Sequence, residues 1–374
     1  MFITPFLTEE QELIRQSARE FTINEVKPRA MEIDRNREFP RDLLMRCGEL
    51  GFLRTMVPEN LGGLGLGATE AGLIIEEIAK ESPGFSMAVQ NAMQAPITLF
   101  AYPDLTDKFE AAVAGKIVCE FAVTDPAGNS NYDEWSIMAK KDGDDWILNG
   151  SKNFVTANGD AEVCFVPAKC DDGQYRLFAT EKGRPGFDNS HIERLIGFAG
   201  VHLGSPTWVN CRLPQNRAIP YDPFVFGFGG ALLTMTTTAF GAAEGVLEKT
   251  VEFTKNRTRS FKPLISLQVV AHKLAHNLTK IEVGRNMLFN AYRALDEGKL
   301  DANMACMTKA WVTEMAVEVT KDCVQLHGGL GVCEDTGIAR YYRDVIPTTI
   351  GDWTSDLHYQ TIAFNLGWQE SRGL

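Results

Sequence analysis

A block of short strand-like runs between two long helical regions is the feature that most constrains the fold of this chain. Between residues 116 and 220, runs rich in β-branched and aromatic residues are separated by Gly, Asp and Asn, as in KIVCEFAVT, DDWILNGSKNFVT, AEVCFVPAKC and TWVNCRLP. Runs of this length and composition between turn residues are typical of antiparallel strands. The pattern predicts a small β domain placed between helical domains, and therefore an α+β fold.

The regions on either side of this block have apolar residues at helical spacing. Thr8 precedes the acidic start of TEEQELIRQSAREF, which is a favourable beginning for a helix. The long segments after the β block end at glycine, and the first of them carries small residues on one side. We expect an N-terminal α-helical domain at residues 1–115, a middle β-barrel domain at 116–220 and a C-terminal four-helix bundle at 221–374.

The composition argues against several classes of function. The chain has 374 residues, of which 37 are basic and 49 acidic, and its net charge of -12 opposes binding to nucleic acid. No window approaches the roughly 20 apolar residues of a membrane span, and the first residues lack the pattern of a signal peptide. The eight cysteines are scattered without CxxC spacing. We therefore expect reduced thiols, no metal site and a cytoplasmic location.

The segment TTIGDWTS near the C-terminus contains a candidate catalytic carboxylate. Asp352 lies between Gly351 and Trp353 and is followed by Thr354 and Ser355. A carboxylate in a water-poor pocket gains basicity and can remove a proton from a substrate. Asp is also a favoured residue at the N-cap of a helix, so a capping role for Asp352 is the alternative.

Five motifs occur in order along the chain: FAVTDPAGNSN, LNGSKNFVTANG, RTRSFKPLISLQ, QLHGGLGVCEDTGIARYYRD and TTIGDWTS. Together with the order of helices, strands and helices, they resemble the acyl-CoA dehydrogenase family over nearly the whole chain. The resemblance implies a noncovalent FAD, an acyl-CoA thioester substrate, an electron-transfer flavoprotein as partner and a homotetramer. In that family a base removes the α proton of the thioester while a hydride leaves the β carbon for flavin N5.

The resemblance assigns two segments of the β domain to the flavin. Val123 and Thr124 belong to FAVTDP, which runs beside the flavin pyrimidine ring in the family. Phe154 and Thr156 are two residues apart, so on a strand both would face the same side. The Phe154 ring would then cover a flavin face, where the family usually has Trp, and the Thr156 hydroxyl would reach the N5 edge. A Thr-Asp-Pro turn and core packing of Phe154 are the alternatives.

The resemblance also assigns residues of the helical bundle to FAD. The guanidinium of Arg257 would bind the FAD pyrophosphate of a neighbouring subunit, since its planar fork suits phosphate oxygens. Two glycines in QLHGG allow the backbone to approach a cofactor closely, although glycine also ends helices. We expect His327 in this segment to be a packed or surface residue. The further FAD contacts implied are Gln268, Gln325, Gly328, Gly329, Thr354 and Ser355.

By the same resemblance, Asp352 takes the place of the family's usual glutamate in Tyr-Glu-Gly-Thr-Ser. Asp is one methylene shorter, so its carboxylate lies about 1.5 Å farther back. Gly351 and Trp353 replace the tyrosine and the glycine of that motif, which indicates a reshaped acyl pocket and a branched, cyclic or aromatic acyl group. The runs TMTTT (234–238) and AVQNAMQ (88–94) can line this pocket.

The CoA end of the substrate has a weaker signal. Ser130 in AGNSN matches a residue that contacts the CoA arm in the family, whereas the acid expected after it is Asn131. Three alternatives to a dehydrogenase stay open from the sequence. They are an enoyl-CoA reductase that runs the reverse reaction, a nitroalkane-oxidase-like flavoenzyme, which would also use an aspartate base, and a catalytically inactive family member.

Overall fold

The computed structural model describes residues 7–128, 132–222 and 230–368. Thr8 caps the first helix, because its hydroxyl accepts a hydrogen bond from the Gln11 backbone N–H and the Gln11 side chain accepts one in return. The predicted helix start is therefore confirmed. The α-helices described in the N-terminal part are α1 (Glu9–Phe21), α2 (Ala30–Asn36), α3 (Arg41–Glu49), α4 (Ala68–Ala79), α5 (Pro83–Gln94) and α6 (Phe109–Val113).

The middle part is a curled sheet. Its strands, with two short ones that pair beside it, are β1 (Cys119–Phe121), β2 (Met138–Asp142), β3 (Asp145–Ser151), β4 (Val155–Thr156), β5 (Val163–Cys170), β6 (Tyr175–Glu181), β7 (Phe187–Asp188), β8 (Leu203–Gly204), β9 (Thr207–Pro214) and β10 (Ala218–Pro220). The main sheet has the order β10-β6-β5-β2-β3-β9-β7, and β4 pairs with β8. Most neighbours are antiparallel, as the sequence predicts, while β5 pairs in parallel with β1 and β2.

The C-terminal part consists of helices that pack side by side. They are α7 (Gly230–Asn256), α8 (Gln268–Asp296), α9 (Ala302–His327), α10 (Ile338–Val345) and α11 (Ser355–Asn365), and a hairpin of β11 (Thr258–Arg259) and β12 (Lys262–Pro263) joins α7 to α8. Small residues let α7 approach α4, since a Cβ added at Gly245 would lie 2.2 Å from the Lys80 carbonyl oxygen. The predicted order of helices, strands and helices is confirmed.

A buried network of charges joins α4, α7 and α8. The Arg285 guanidinium on α8 donates to Glu76 Oε1 at 3.1 Å and to Glu244 Oε1 at 2.6 Å. Lys80 Nζ donates to Glu77 Oε1 at 2.8 Å and lies 3.3 Å from Glu244 Oε2. Removing one member of such a network leaves an unpaired buried charge, which costs about 3–5 kcal/mol. The network therefore fixes the N-terminal helices against the bundle.

Helix α10 connects the bundle to both other parts of the chain. Arg340 donates to the Ala30 carbonyl at 2.8 Å, and Arg343 pairs with Asp34 at 2.6 Å. The buried Asp344 carboxylate accepts a hydrogen bond from the Phe198 backbone N–H at 2.6 Å. These contacts fix α10. The segment that carries the candidate base continues directly from this helix.

No helix within residues 7–128, 132–222 and 230–368 is long and apolar enough to cross a membrane. Those same residues contain no cluster of three or more His, Cys, Asp or Glu side chains that could hold a metal ion. All eight cysteines are free thiols, and Cys333 alone among them is exposed.

Candidate active site

The segment that carries Asp352 is a loop between a short 3-10 turn, Ile346–Thr349, and α11. The N-cap of α11 is Thr354, whose hydroxyl accepts a hydrogen bond from the Leu357 backbone N–H at 3.3 Å. The capping alternative for Asp352 is therefore wrong. The carboxylate is not used by the helix and is available for another role. We call residues 351–353 the base loop.

The base loop has an uncommon backbone conformation. Asp352 has φ 49° and Trp353 has φ 71°, so two consecutive side-chain-bearing residues are left-handed. Each such residue costs roughly 1–2 kcal/mol relative to ordinary backbone. Two buried side chains hold the loop from below: His358 Nε2 donates to the Asp352 carbonyl at 3.1 Å, and Lys309 Nζ donates to the Trp353 carbonyl at 3.4 Å.

The electrostatic surroundings of Asp352 suit a proton acceptor. Asp352 is an exposed residue, yet the protein around its carboxyl desolvates it and raises its pKa, while attraction to Lys309 opposes this rise. Burial in turn lowers the pKa of Lys309 to about 8. A raised pKa makes a carboxylate a stronger base, as removal of an α proton requires.

The space beside Gly351 is bordered by a flexible side chain. A Cβ added at Gly351 would lie 3.0 Å from Met235 Cε and 3.1 Å from Met235 Sδ. The space beside Gly351 is therefore not empty, because the Met235 thioether on α7 occupies it. A methionine can change rotamer at low cost, so this wall can adapt to the shape of a bound group.

The two runs that we expect to line the acyl pocket pack against each other. Gln94 Nε2 on α5 donates to Thr234 Oγ1 on α7 at 2.8 Å, and Ser86 Oγ lies 2.9 Å from Thr238 Oγ1. Between these pairs, Gln90 is 8% exposed, and its amide donates to the Met87 sulfur at 3.3 Å. Most of these polar groups are used within the helix interface, and their role as pocket lining stays a prediction.

The predicted flavin-facing segments of the β domain lie next to each other. The Asn153 backbone N–H donates to the Thr124 carbonyl at 2.8 Å, which joins the segment of Val123 and Thr124 to that of Phe154. Phe154 precedes β4 and has φ 54°, so the expectation that Phe154 and Thr156 share one strand is wrong. The left-handed turn instead directs the Phe154 ring outward, and it is 53% exposed.

A buried ion pair that the sequence reasoning missed supports this arrangement. Lys152 Nζ lies 3.3 Å from Asp125 Oδ2 and 3.6 Å from the centre of the Trp135 ring. The Asp125 carboxylate also accepts a hydrogen bond from the Ser136 backbone N–H at 2.9 Å. In the sequence, Asp125 follows Thr124 and Lys152 lies two positions before Phe154. This closeness to two predicted flavin contacts is the sequence signal that points to the pair. The pair fixes the two segments to one another.

The predicted FAD contacts of the bundle form a second group where α7 and α9 end. The Phe253 ring stacks on His327 at 4.2 Å, and the buried His327 Nδ1 donates to the Cys323 carbonyl at 2.8 Å. The prediction of a packed His327 is confirmed. A Cβ added at Gly328 or Gly329 would meet nothing within 4 Å, so the backbone there is open. The exposed members of this group are Arg257, Gln268, Gln325, Gly328 and Gly329.

Within one chain, the residues at the end of the bundle, which we call the bundle-end group, lie far from the base loop. Lys309 under the base loop and Gln325 are 16 positions apart on the same helix, α9. At the usual rise per residue, this places them about 24 Å from each other. The bundle-end group therefore does not adjoin Asp352 in its own chain. Ser130, the predicted CoA contact, lies outside the described residues.

The described residues fit the FAD that the sequence implies. The Phe154 ring is exposed and can cover a planar ring system, and the exposed Arg257 guanidinium suits phosphate oxygens. The open backbone at Gly328 and Gly329 permits close approach of a ligand. The set contains a planar contact, a phosphate contact and unobstructed backbone, which are the features that a dinucleotide requires.

Comparison with protein-family models gives three matches in chain order. The model described as acyl-CoA dehydrogenase, N-terminal domain, matches residues 8–115, the middle-domain model matches 120–211, and the C-terminal-domain model matches 228–367. Probable acyl-CoA dehydrogenase FadE25 of Mycobacterium tuberculosis is 30% identical over 366 residues, which cover 94% of this chain and 94% of that protein.

Two further relatives have more specific names. The 3-(aryl)acrylate reductase of Clostridium sporogenes is 28% identical, with 96% of this chain and 99% of that protein covered. Cyclohex-1-ene-1-carbonyl-CoA dehydrogenase of Syntrophus aciditrophicus is 29% identical, with 94% and 88% covered. Among solved structures, a glutaryl-CoA dehydrogenase from Mycobacterium smegmatis in complex with FADH2 has a TM-score of 0.92 at 25% identity, covering 98% of this chain and 97% of that one.

Proposed function

This chain belongs to the acyl-CoA dehydrogenase family, and we propose that it dehydrogenates a branched, cyclic or aromatic acyl-CoA with Asp352 as the base. The chain is an oxidoreductase of acyl-CoA substrates, and its cofactor is FAD. One observation supports the proposed base above the others. Asp352 is an exposed residue with a desolvated carboxyl, and it follows a residue without a side chain.

Asp352 would remove the proton from the α carbon of the thioester. Its ionised carboxylate accepts this proton, and the surrounding protein raises its basicity by excluding water. FAD, when bound, accepts the hydride that leaves the β carbon, so that the α,β double bond forms. The fixed base loop keeps the carboxylate in one position, which favours reaction through proximity and orientation.

The acyl group would bind between the base loop and the first turns of α7. The Met235 thioether borders Gly351 as an adaptable wall, and Trp353 adds an aromatic surface. A planar or bulky acyl group suits such a site better than a thin straight chain, because it can contact both the methionine thioether and the aromatic ring. The names of the two specific relatives, which refer to aryl and cyclohexene groups, support this substrate class.

The cofactor would be held by two chains. Thr124, Phe154 and Thr156 would contact the flavin together with Val123, Thr354 and Ser355 of the same chain. The bundle-end residues would contact the FAD of a neighbouring subunit, which agrees with the separation of about 24 Å along α9. We further propose a homotetramer in the cytoplasm, with an electron-transfer flavoprotein as electron acceptor.

An anaerobic panel of thioesters tests this function. We expect isobutyryl-CoA, cyclohexanecarbonyl-CoA or 3-phenylpropanoyl-CoA to bleach the flavin faster than butyryl-CoA, and nitroethane to leave it oxidised. Asp352→Asn should slow bleaching by about 10²–10⁴-fold, the usual contribution of a general base. Asp356→Asn, at an exposed acid of the same region, is the matched control and should keep the wild-type rate.

Other outcomes of the panel identify other functions. Bleaching at the wild-type rate in Asp352→Asn would show that Asp352 is not the base. Bleaching by nitroethane alone would indicate a nitroalkane-oxidase-like enzyme, and a fully loaded protein that no substrate reduces would indicate an inactive member of the family.

A second candidate is reduction of an enoyl-CoA, in which Asp352 would return the α proton. The observation that favours it is the reductase named among the relatives. Oxidation of the chemically reduced protein by cinnamoyl-CoA, compared with reduction of the oxidised protein by 3-phenylpropanoyl-CoA, measures which direction is faster.

A further inference from the structure

Lys309 is a lysine in an unusual place. It lies on α9 with none of its surface exposed, although lysine is almost never fully buried without a partner. Its Nζ donates to the carbonyl oxygen of Trp353 at 3.4 Å. The charge therefore lies directly under the base loop, on a helix that the loop does not belong to.

The ionisable groups that face Lys309 come from the base loop, from α11 and from α9 itself. His358 on α11 is neutral near pH 7, because burial and the charge of Lys309 lower its pKa to about 4. The Cys306 thiol is neutral as well, because burial raises its pKa to about 11. The carboxyls of Asp352 and Glu314 attract the ammonium group. Glu314 is exposed and accepts a hydrogen bond from Tyr359, so the desolvated Asp352 carboxyl is the stronger counter-charge.

We propose that Lys309 is a positioning residue for Asp352: its ammonium fixes the left-handed base loop through the Trp353 carbonyl and keeps the Asp352 carboxylate ionised. This inference rests on the proposed role of Asp352 as the base. Lys309 makes no direct ion pair within the described residues, so its charge attracts the Asp352 carboxylate without contact, while its hydrogen bond acts on the backbone of Trp353. A neutral Asp352 could not accept a proton, and desolvation alone would favour that neutral form.

The two effects of Lys309 have separate signatures. Loss of the charge should raise the pKa of Asp352, since the attraction that opposes desolvation disappears. Activity that needs the ionised carboxylate would then begin at higher pH. Loss of the hydrogen bond removes this donor from the Trp353 carbonyl, so the loop would be held less firmly.

The test uses Lys309→Met, which removes the charge at similar length, and Lys309→Arg, which keeps it. Lys321→Met changes an exposed lysine on the same helix and is the matched control. The first measurement is the pH profile of single-turnover flavin reduction with the thioester that bleaches the wild-type protein fastest. Lys309→Met should move the ascending limb up by about one pH unit or more, in line with the 1–3 units typical of a nearby opposite charge.

Lys309→Arg and Lys321→Met should keep the limb at its wild-type position. An unmoved limb in Lys309→Met would overturn the inference. If Lys309→Met does not fold, the pH profile of Lys309→Arg decides. An ascending limb at the wild-type pH supports a role of the charge. An ascending limb raised by the amount expected for Lys309→Met contradicts it.

The second measurement does not depend on catalysis. Urea midpoints are compared for Lys309→Met, Asp352→Asn and the double variant, all without FAD. Coupled residues give midpoint shifts that do not add, whereas additive shifts would show that the two side chains act independently and would refute the inference. Wild-type bleaching in Asp352→Asn, together with non-additive midpoints, would disprove the proposed base and leave the coupling intact.

Discussion

The substitution Asp352→Glu lengthens the base by one methylene without changing its charge. The carboxylate would move forward by about 1.5 Å, the length of one carbon–carbon bond. In an ordinary loop the backbone could retreat and cancel this change. Here the carbonyls of Asp352 and Trp353 are held by His358 and Lys309, so we expect most of the displacement to reach the substrate.

The magnitude follows from the precision that proton transfer requires. A misplacement of about 1 Å can reduce the rate by on the order of 100-fold, which corresponds to about 2.7 kcal/mol in the barrier. With a bulky thioester such as 3-phenylpropanoyl-CoA, Asp352→Glu should therefore slow flavin reduction by about 100-fold. With butyryl-CoA the rate of flavin reduction should fall less than with the bulky thioester, or should rise, because a thin acyl chain leaves space for the extra methylene.

Stopped-flow absorbance of the flavin under anaerobic conditions measures both rates in a single turnover. Asp356→Glu is the matched control, since it adds the same methylene to an exposed acid; it should leave both rates unchanged. Equal or faster reduction by the bulky thioester in Asp352→Glu would refute the reasoning. It would mean that the base loop moves freely or that Asp352 does not contact the reacting carbon.

Two further predictions concern the cofactor and the pH dependence of stability. Gly329→Ala should fold normally, because the added Cβ meets nothing within 4 Å, but it should retain less FAD after gel filtration. In Gly331→Ala the added Cβ would lie 2.1 Å from the Val324 carbonyl oxygen. This variant should instead lower the melting temperature of the protein without FAD. Burial raises the pKa of Glu244 from 4.5 to about 7, so the unfolded chain loses this proton at lower pH than the folded chain and the fold is destabilised as pH rises through this window. Glu244→Gln loses a member of the charge network at every pH, but its urea midpoint relative to wild type should be higher at pH 8 than at pH 5. Glu248→Gln, one turn farther along α7, should show no such pH-dependent gain, and equal changes in both variants would contradict the assignment.

Features set by local sequence are those that the sequence predicts well. Thr8 starts α1 as expected, since a cap needs only a side chain and a backbone N–H three residues away. The strand-forming runs of the β domain and the glycine at position 328 that follows α9 can also be recognised from the local sequence. The order of helices, strands and helices follows from these local patterns, because helical and strand periodicities differ.

Features that depend on contacts between distant residues are those that the sequence does not reveal. Lys309 and Trp353 are 44 positions apart, and no pattern in either segment indicates that a lysine supports the loop. The pairing of Lys152 with Asp125 has the same origin. The choice of Thr354 over Asp352 as N-cap depends on where α11 begins, and boundaries shift by a residue or two without any change in composition.

The base loop carries both the candidate base, Asp352, and a proposed pocket residue, Trp353. Trp353 forms part of the proposed acyl pocket, and its left-handed backbone follows that of Asp352 directly, so a change in one residue alters the position of the other. A glycine at position 353 would relieve roughly 1–2 kcal/mol of strain, yet the chain keeps a large aromatic residue there. Strain of this kind persists where surrounding structure enforces it, here through Lys309 and His358. If Asp352 is the base and Trp353 lines the acyl pocket, as we propose, the base loop couples the shape of the pocket to the position of the base.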